Sequence, residues 1–160
     1  EFIADIFSKV MLSNSKLSCV IMGIIAKNLI ENRKDISHDD LVCAEALTKF
    51  FDYDIRNYKK ICEYLENYMK NRKIKKRKGF EINYAFTKYC IEDGTTTAES
   101  VNLTLEKAIS YQLFYKENEI DLDVDEDDVG SSSISATEQC IISNPGEQLY
   151  KYIQKIEYLL

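Results

Sequence analysis

The chain has 160 residues, 45% of them hydrophobic, and a formal net charge of −6. That suits one domain burying about two thirds of the surface its unfolded chain exposes. Five Gly and one Pro, where average usage gives roughly eleven and eight, disfavour a barrel or sandwich built on frequent tight turns. The longest apolar run, LSCVIMGIIA at residues 17–26, is about half of the ~20 residues a membrane span needs, so no membrane partner is expected.

Helical periodicity begins at once. Phe2, Ile3, Ile6, Phe7 and Val10 recur at intervals of three and four, and Ser13-Asn14-Ser15 then breaks the pattern. Leu17, Val20, Ile21, Ile24, Ile25, Ala26, Leu29 and Ile30 cover more than one face of a second helix, which predicts a central place in the packing. Ser37 with Asp40 forms a capping-box-like start for a third helix carrying Leu41, Val42, Ala44, Leu47, Phe50 and Phe51. Asp54 is the expected cap of a fourth, in which Ile55, Tyr58, Ile61, Cys62, Leu65, Tyr68 and Met69 keep a period near 3.6.

The stretch FEINYAFTKYC at 80–90 alternates like a strand and also suits a helix. With no convincing second strand to pair with, a helix is expected, stopped at Asp93-Gly94. Thr96 and Glu99 repeat the capping-box spacing, and Val101, Leu105, Ala108, Ile109, Leu113 and Phe114 predict a long helix to about Glu117. Residues 117–128, ENEIDLDVDEDD, hold eight carboxylates and no base, and run into VGSSSISATEQ. This reads as a loop or linker. Eight carboxylates exceed the whole net charge of −6, so the acidity is local. Asn144-Pro145-Gly146-Glu147 then opens a last helix with Asn as cap and Pro at its first position, whose stripe is Leu149, Ile153, Ile156 and Leu160.

The expected fold class is therefore all-α, with six to seven helices paired as antiparallel hairpins. Pairs at about 1–34, 36–78 and 80–117, and the match of NLIENRK at 28–34 with NYMKNRK at 67–73, favour a HEAT-like stack. A closed helical bundle is the alternative. The expected organisation is a helical hairpin core over 1–117, an acidic and Ser-rich loop or linker over 118–143, and a C-terminal helix over 144–160 packing on the core. A start at Glu1 and an unfinished apolar pattern at Leu160 suggest a piece of a longer protein.

Catalytic chemistry finds little to stand on. His38 is the only histidine, and Ser37, His38, Asp39 and Asp40 already have a reading as a helix start. The Gly residues at 23, 79, 94, 130 and 146 never cluster into a phosphate-cradling loop. Asp121, Asp123 and Asp125 begin a D-x-D-x-D pattern, but a calcium loop would then put Glu126 where Gly is needed and Ser132 where a bidentate Glu is needed. Cys19, Cys43, Cys62, Cys90 and Cys140 are odd in number without C-x-x-C spacing, which reads as reduced core thiols in an intracellular compartment. Most Tyr rings, among them Tyr58, Tyr64 and Tyr89, lie on or beside apolar stripes and are expected to pack there. No enzyme, metal, cofactor or small-molecule substrate is expected.

Two charged segments are the candidate contact sites. Lys70, Arg72, Lys73, Lys75, Lys76, Arg77 and Lys78 put seven bases into nine positions. They suit a solvated helix end, a nuclear-import signal, phosphate contact, or counter-charge to the acidic segment. Ile120, Asp121, Leu122, Asp123, Val124 and Asp125 alternate aliphatic and acidic residues as an interaction segment would. The function expected is a non-enzymatic helical scaffold that binds a protein partner, in the nucleus or cytoplasm. A nucleic-acid-associated module using residues 70–78 is the rival; a small helical decoy of the viral Bcl-2 type is permitted by helix count and composition, with no motif residues behind it.

Overall fold

Short polar side chains set where the helices begin. In the computed structural model, which describes residues 2–32, 36–72, 78–124 and 132–160, seven helices and three strands follow in order. These are α1 (Phe2–Leu12), α2 (Lys16–Asn32), α3 (His38–Lys49), α4 (Asp52–Arg72), β1 (Gly79–Glu81), α5 (Tyr84–Ile91), α6 (Ala98–Ser110), β2 (Phe114–Val124), β3 (Ser132–Ile142) and α7 (Asn144–Lys155), with a final 3₁₀ turn at Glu157–Leu159. Ser37 caps α3, its Oγ accepting from the Asp40 N–H at 3.1 Å, as its spacing predicts. Other starts are displaced by a residue or two. Thr97, not Thr96, caps α6, and Ser143, not Asn144, caps α7. Asp54 lies inside α4 and accepts from the Phe51 N–H at 2.9 Å.

The molecule is mostly helical, and a small sheet departs from the all-α expectation. The segment expected as an acidic, Ser-rich loop over 118–143 instead carries, over its described residues, most of a β-hairpin. β2 and β3 pair antiparallel from Phe114↔Ile142 out to Val124↔Ser132. β1 joins the far side of β3 through Gly79↔Ile141, Phe80↔Cys140 and Glu81↔Gln139, giving the order β1-β3-β2. The single helix expected over 80–90 is therefore a short strand followed by α5, capped by Asn83. The helix expected to reach Glu117 stops at Ser110. The Gln112 N–H bonds to the Ile109 carbonyl and the Leu113 N–H to the Ala108 carbonyl, at 2.9 and 2.8 Å, with Gln112 in the left-handed region at φ 59°. These are the two bonds of a Schellman stop.

The inner end of the sheet lies in the core. Phe80, Phe114 and Cys140 are fully buried with Phe86, Tyr58, Ile61 and Ile153. Tyr64 meets Phe80 and Phe86 edge-on at centroid separations of 5.5 and 5.3 Å, and Phe114 meets Tyr58 at 5.6 Å. Such pairs contribute about 0.5–1.5 kcal/mol each beyond their burial. A polar network fastens α4 to α6. Buried Asp54 accepts from the Thr104 hydroxyl at 2.8 Å and from Lys107 at 2.6 Å, while Asn57 donates to Thr104 and Ser100. A stack of hairpins confines contact to sequence neighbours. Here α7 packs against α2, α3 and α4, so the chain closes on itself.

That closure depends on Gly146. A Cβ built there would lie 2.1 Å from the Leu113 carbonyl oxygen and 2.8 Å from Ile142, and the Tyr58 hydroxyl donates to the Gly146 carbonyl at 3.0 Å. Gly146→Ala should therefore destabilise by about 2–3 kcal/mol, at the upper end of overpacking costs. Gly23→Ala, at a helix position with nothing within 4 Å, should stabilise by about 0.5–1 kcal/mol. Urea midpoints at unchanged slope measure both.

Asp52 ties the start of α2 to that of α4, accepting from the Ser15 hydroxyl at 2.6 Å and the Leu17 N–H at 3.1 Å. Burial pushes its carboxyl up, but those bonds and Arg56 outweigh it and leave the group below the ordinary 3.8. A depressed carboxyl contributes stability that is present above its unfolded pKa and lost as pH falls through the folded one. Asp52→Asn should accordingly lower the urea midpoint at pH 7, and the deficit should shrink by pH 3. An equal deficit at both pH values would contradict this role.

Candidate interaction surfaces

Helix α1 has more apolar side chains than its contacts can cover. Ile6 is buried and Val10 half-buried, but Phe7 is 62% exposed, Met11 85% and Leu12 71%. The same imbalance continues on α2. Ile21, Met22 and Ile25 are fully buried, as a central helix requires, whereas Val20 and Ile30 face solvent. The central place expected for α2 in the packing thus holds on one side and not on the other. Between the two helices runs a groove of about 340 Å³ with Ile6, Phe7 and Val10 on one wall and Gly23, Ala26 and Ile30 on the other. Gly23 keeps its floor open, since nothing stands within 4 Å of a Cβ placed there. The Lys27–Glu31 ion pair, at 3.7 Å on α2, borders it.

A second concavity, of about 390 Å³, lies between α4 and α7. Its floor is Cys62, Leu65, Met69 and Ile142, and its rim carries Lys70, Lys78, Lys151, Glu66 and Glu147. Residues 62, 65, 66, 69 and 70 share one face of α4 by the three- and four-residue rule, as do 147, 150, 151 and 154 on α7. Lys78 is paired with Glu147 at 2.9 Å. Tyr150 on the same wall is raised above its ordinary pKa, first by burial and then by Glu66, so it stays a neutral hydroxyl.

The third is a shallow depression of about 670 Å³ where α3, the α6–β2 turn and α7 meet, bordered by His38, Asp39, Tyr115, Lys116 and Pro145. The one hydroxyl of a serine there, Ser143, is engaged: it donates toward the Gln112 and Leu113 carbonyls at 2.6 and 3.0 Å and accepts from the Gly146 N–H. His38 stands exposed at the start of α3, where the capping pattern puts it.

The basic and acidic segments of the sequence are placed only in part. Lys70 and Arg72 lie in the last turn of α4, and Lys78 stands just before β1. Lys73, Lys75, Lys76, Arg77 and Asp125 lie outside the described residues. Ile120, Leu122 and Val124 sit on β2 opposite Ala136, Ile134 and Ser132, and Asp121 and Asp123 opposite Ser135 and Ser133. The structure therefore brings Lys70 and Lys78 to one cleft and puts the acidic residues in a hairpin.

The cysteines are unpaired, and all but Cys19 are buried. Burial pushes the thiols of Cys90 and Cys140 up to about 12, and those of Cys43 and Cys62 higher still, so these four remain protonated near neutral pH. Among the described residues no group of three or more His, Cys, Asp or Glu is arranged to hold a metal ion, and no helix is long and apolar enough to cross a membrane.

Comparison of the chain with protein-family models, with curated proteins and with solved structures finds no match. The groove between α1 and α2 was only half legible in advance. Apolar residues on more than one face of α2 signal it, but the sequence alone reads that signal as central burial.

Proposed function

We propose that this chain is a non-enzymatic protein–protein interaction module of an intracellular protein, working in the nucleus or cytoplasm, and that its α1/α2 groove receives the apolar face of a partner helix. The observation that supports this most is the apolar lining of one groove, Ile6, Phe7 and Val10 on α1 with Ala26 and Ile30 on α2, of which Phe7 and Ile30 are exposed to solvent. Scattered exposed apolar residues are ordinary on a protein surface, while a contiguous apolar strip rimmed by polar residues marks a contact site. A partner helix fits such a trough through anchors spaced at three, four and seven residues. Its affinity would come from a few large side chains at the centre of the contact. Phe7 is the aromatic among those lining it.

The test uses affinity capture from cell extract, followed by titration of the partner recovered. Phe7→Glu with Ile30→Glu should weaken that partner by about 30-fold or more, since a central anchor contributes about 2 kcal/mol or more. Gly23→Leu should fill the groove and block the same partner without loss of stability, because its site is open. Undiminished capture by both variants, each folded by circular dichroism, would refute the groove as the docking site.

A further inference from the structure

The cleft between α4 and α7 has a chemistry of its own, independent of the α1/α2 groove. An apolar floor ringed by a few polar groups is the usual make-up of a recognition site, and about 390 Å³ lies within the range of such sites. The charge on its rim is not fully used. Lys78 is neutralised by Glu147 at 2.9 Å, but Lys70 on the α4 wall and Lys151 on the α7 wall have no ion pair among the described residues, although both border the cleft. In a chain with a net charge of −6, a lining that sets three lysines, Lys70, Lys78 and Lys151, against two glutamates, Glu66 and Glu147, is a local reversal of sign. Lys70 and Lys78 are also the two ends of the basic stretch, and both stand on this rim.

We infer that this cleft binds an extended acidic peptide segment of a partner protein, one aliphatic or aromatic side chain entering between Met69 and Ile142 while flanking carboxylates meet Lys70 and Lys151. The physical division of labour is plain. The floor supplies affinity by removing apolar surface from water, with Met69 adaptable enough to accept different anchors. The lysines choose the sign of the partner and its direction, each exposed ion pair contributing modestly and weakening with salt. Glu66, on the same rim, repels a carboxylate placed next to it and so favours peptides whose charges straddle the anchor rather than crowd it. A duplex keeps its bases stacked inside and presents phosphates outward, so the floor would be idle in such a complex.

A fluorescein-labelled peptide ENEIDLDVDEDD supplies the required chemistry, with carboxylates alternating with aliphatic residues. Titrated into the full chain and followed by polarisation, it should bind saturably. Lys70→Glu with Lys151→Glu should weaken it about tenfold or more, because two attractive pairs are replaced by two repulsions. Replacing Ile, Leu and Val of the peptide by Ser should weaken it comparably, and Met69→Ala less so. Phe7→Glu with Ile30→Glu, which disables the other groove, should change nothing here. The inference is overturned by absence of saturable binding, by insensitivity to the lysine reversal, by equal binding of the Ser-substituted peptide, or by tighter binding of a duplex oligonucleotide that the lysine reversal abolishes.

Discussion

Everything in this fold turns on how closely α7 can approach the turn that ends α6. The Leu113 carbonyl stands where a side chain on Gly146 would have to be, and it accepts from both the N–H and the hydroxyl of Ser143. A third tie comes from below, where the fully buried Tyr58 on α4 donates to the Gly146 carbonyl. One close approach thus joins α4, the α6–β2 turn, the end of β3 and the start of α7. Burying a tyrosine hydroxyl costs stability unless it finds a partner, so the contact is specified by chemistry as well as by shape.

The consequences reach the surface. With its first turn fixed, α7 lies over α3 and α4, where Tyr152 donates to Asp40 at 2.7 Å and Lys59 pairs with Glu157 at 2.6 Å. Helices α3, α4 and α7 cover the inner face of α2 and bury Ile21, Met22 and Ile25. Nothing in the chain covers the outer junction of α1 and α2 among the described residues. The apolar excess of these two helices is left facing water, which is a standing cost to solubility that the proposed docking role would offset. The α4/α7 cleft has a similar origin, as the space left beside two helices whose approach is set at Gly146 and Tyr58.

Much of the helical frame was legible because local rules decide it. The Ser37–Asp40 cap, the period of α4 and the stop at Gly94, which takes φ 69°, need no knowledge of the rest of the chain. The sheet was missed for a tertiary reason. The end of α6 is marked by Gln112 in a conformation usually taken by Gly or Asn, and the apolar pattern of the sequence runs on past it through Leu113 and Phe114. Charge density in 117–128 then suggested a solvated loop, although Ile120, Leu122 and Val124 alternate as a strand does, and Ile134, Ala136, Cys140 and Ile142 repeat that alternation. Only the register places Asp121 and Asp123 opposite Ser135 and Ser133. The two candidate surfaces were less visible still, since both are defined by which apolar residues are left uncovered, and that is a property of the packing.

The most direct measurement of the central claim, that the apolar trough of α1 and α2 is the working surface, is amide hydrogen exchange of the chain alone and in complex with its captured partner. Exchange should slow over residues 3–12 and 20–31 on binding, with the amides around His38 and Lys116 unchanged. Protection confined to the depression at His38, or to the β2–β3 hairpin, with α1 and α2 exchanging as in the free chain, would contradict it.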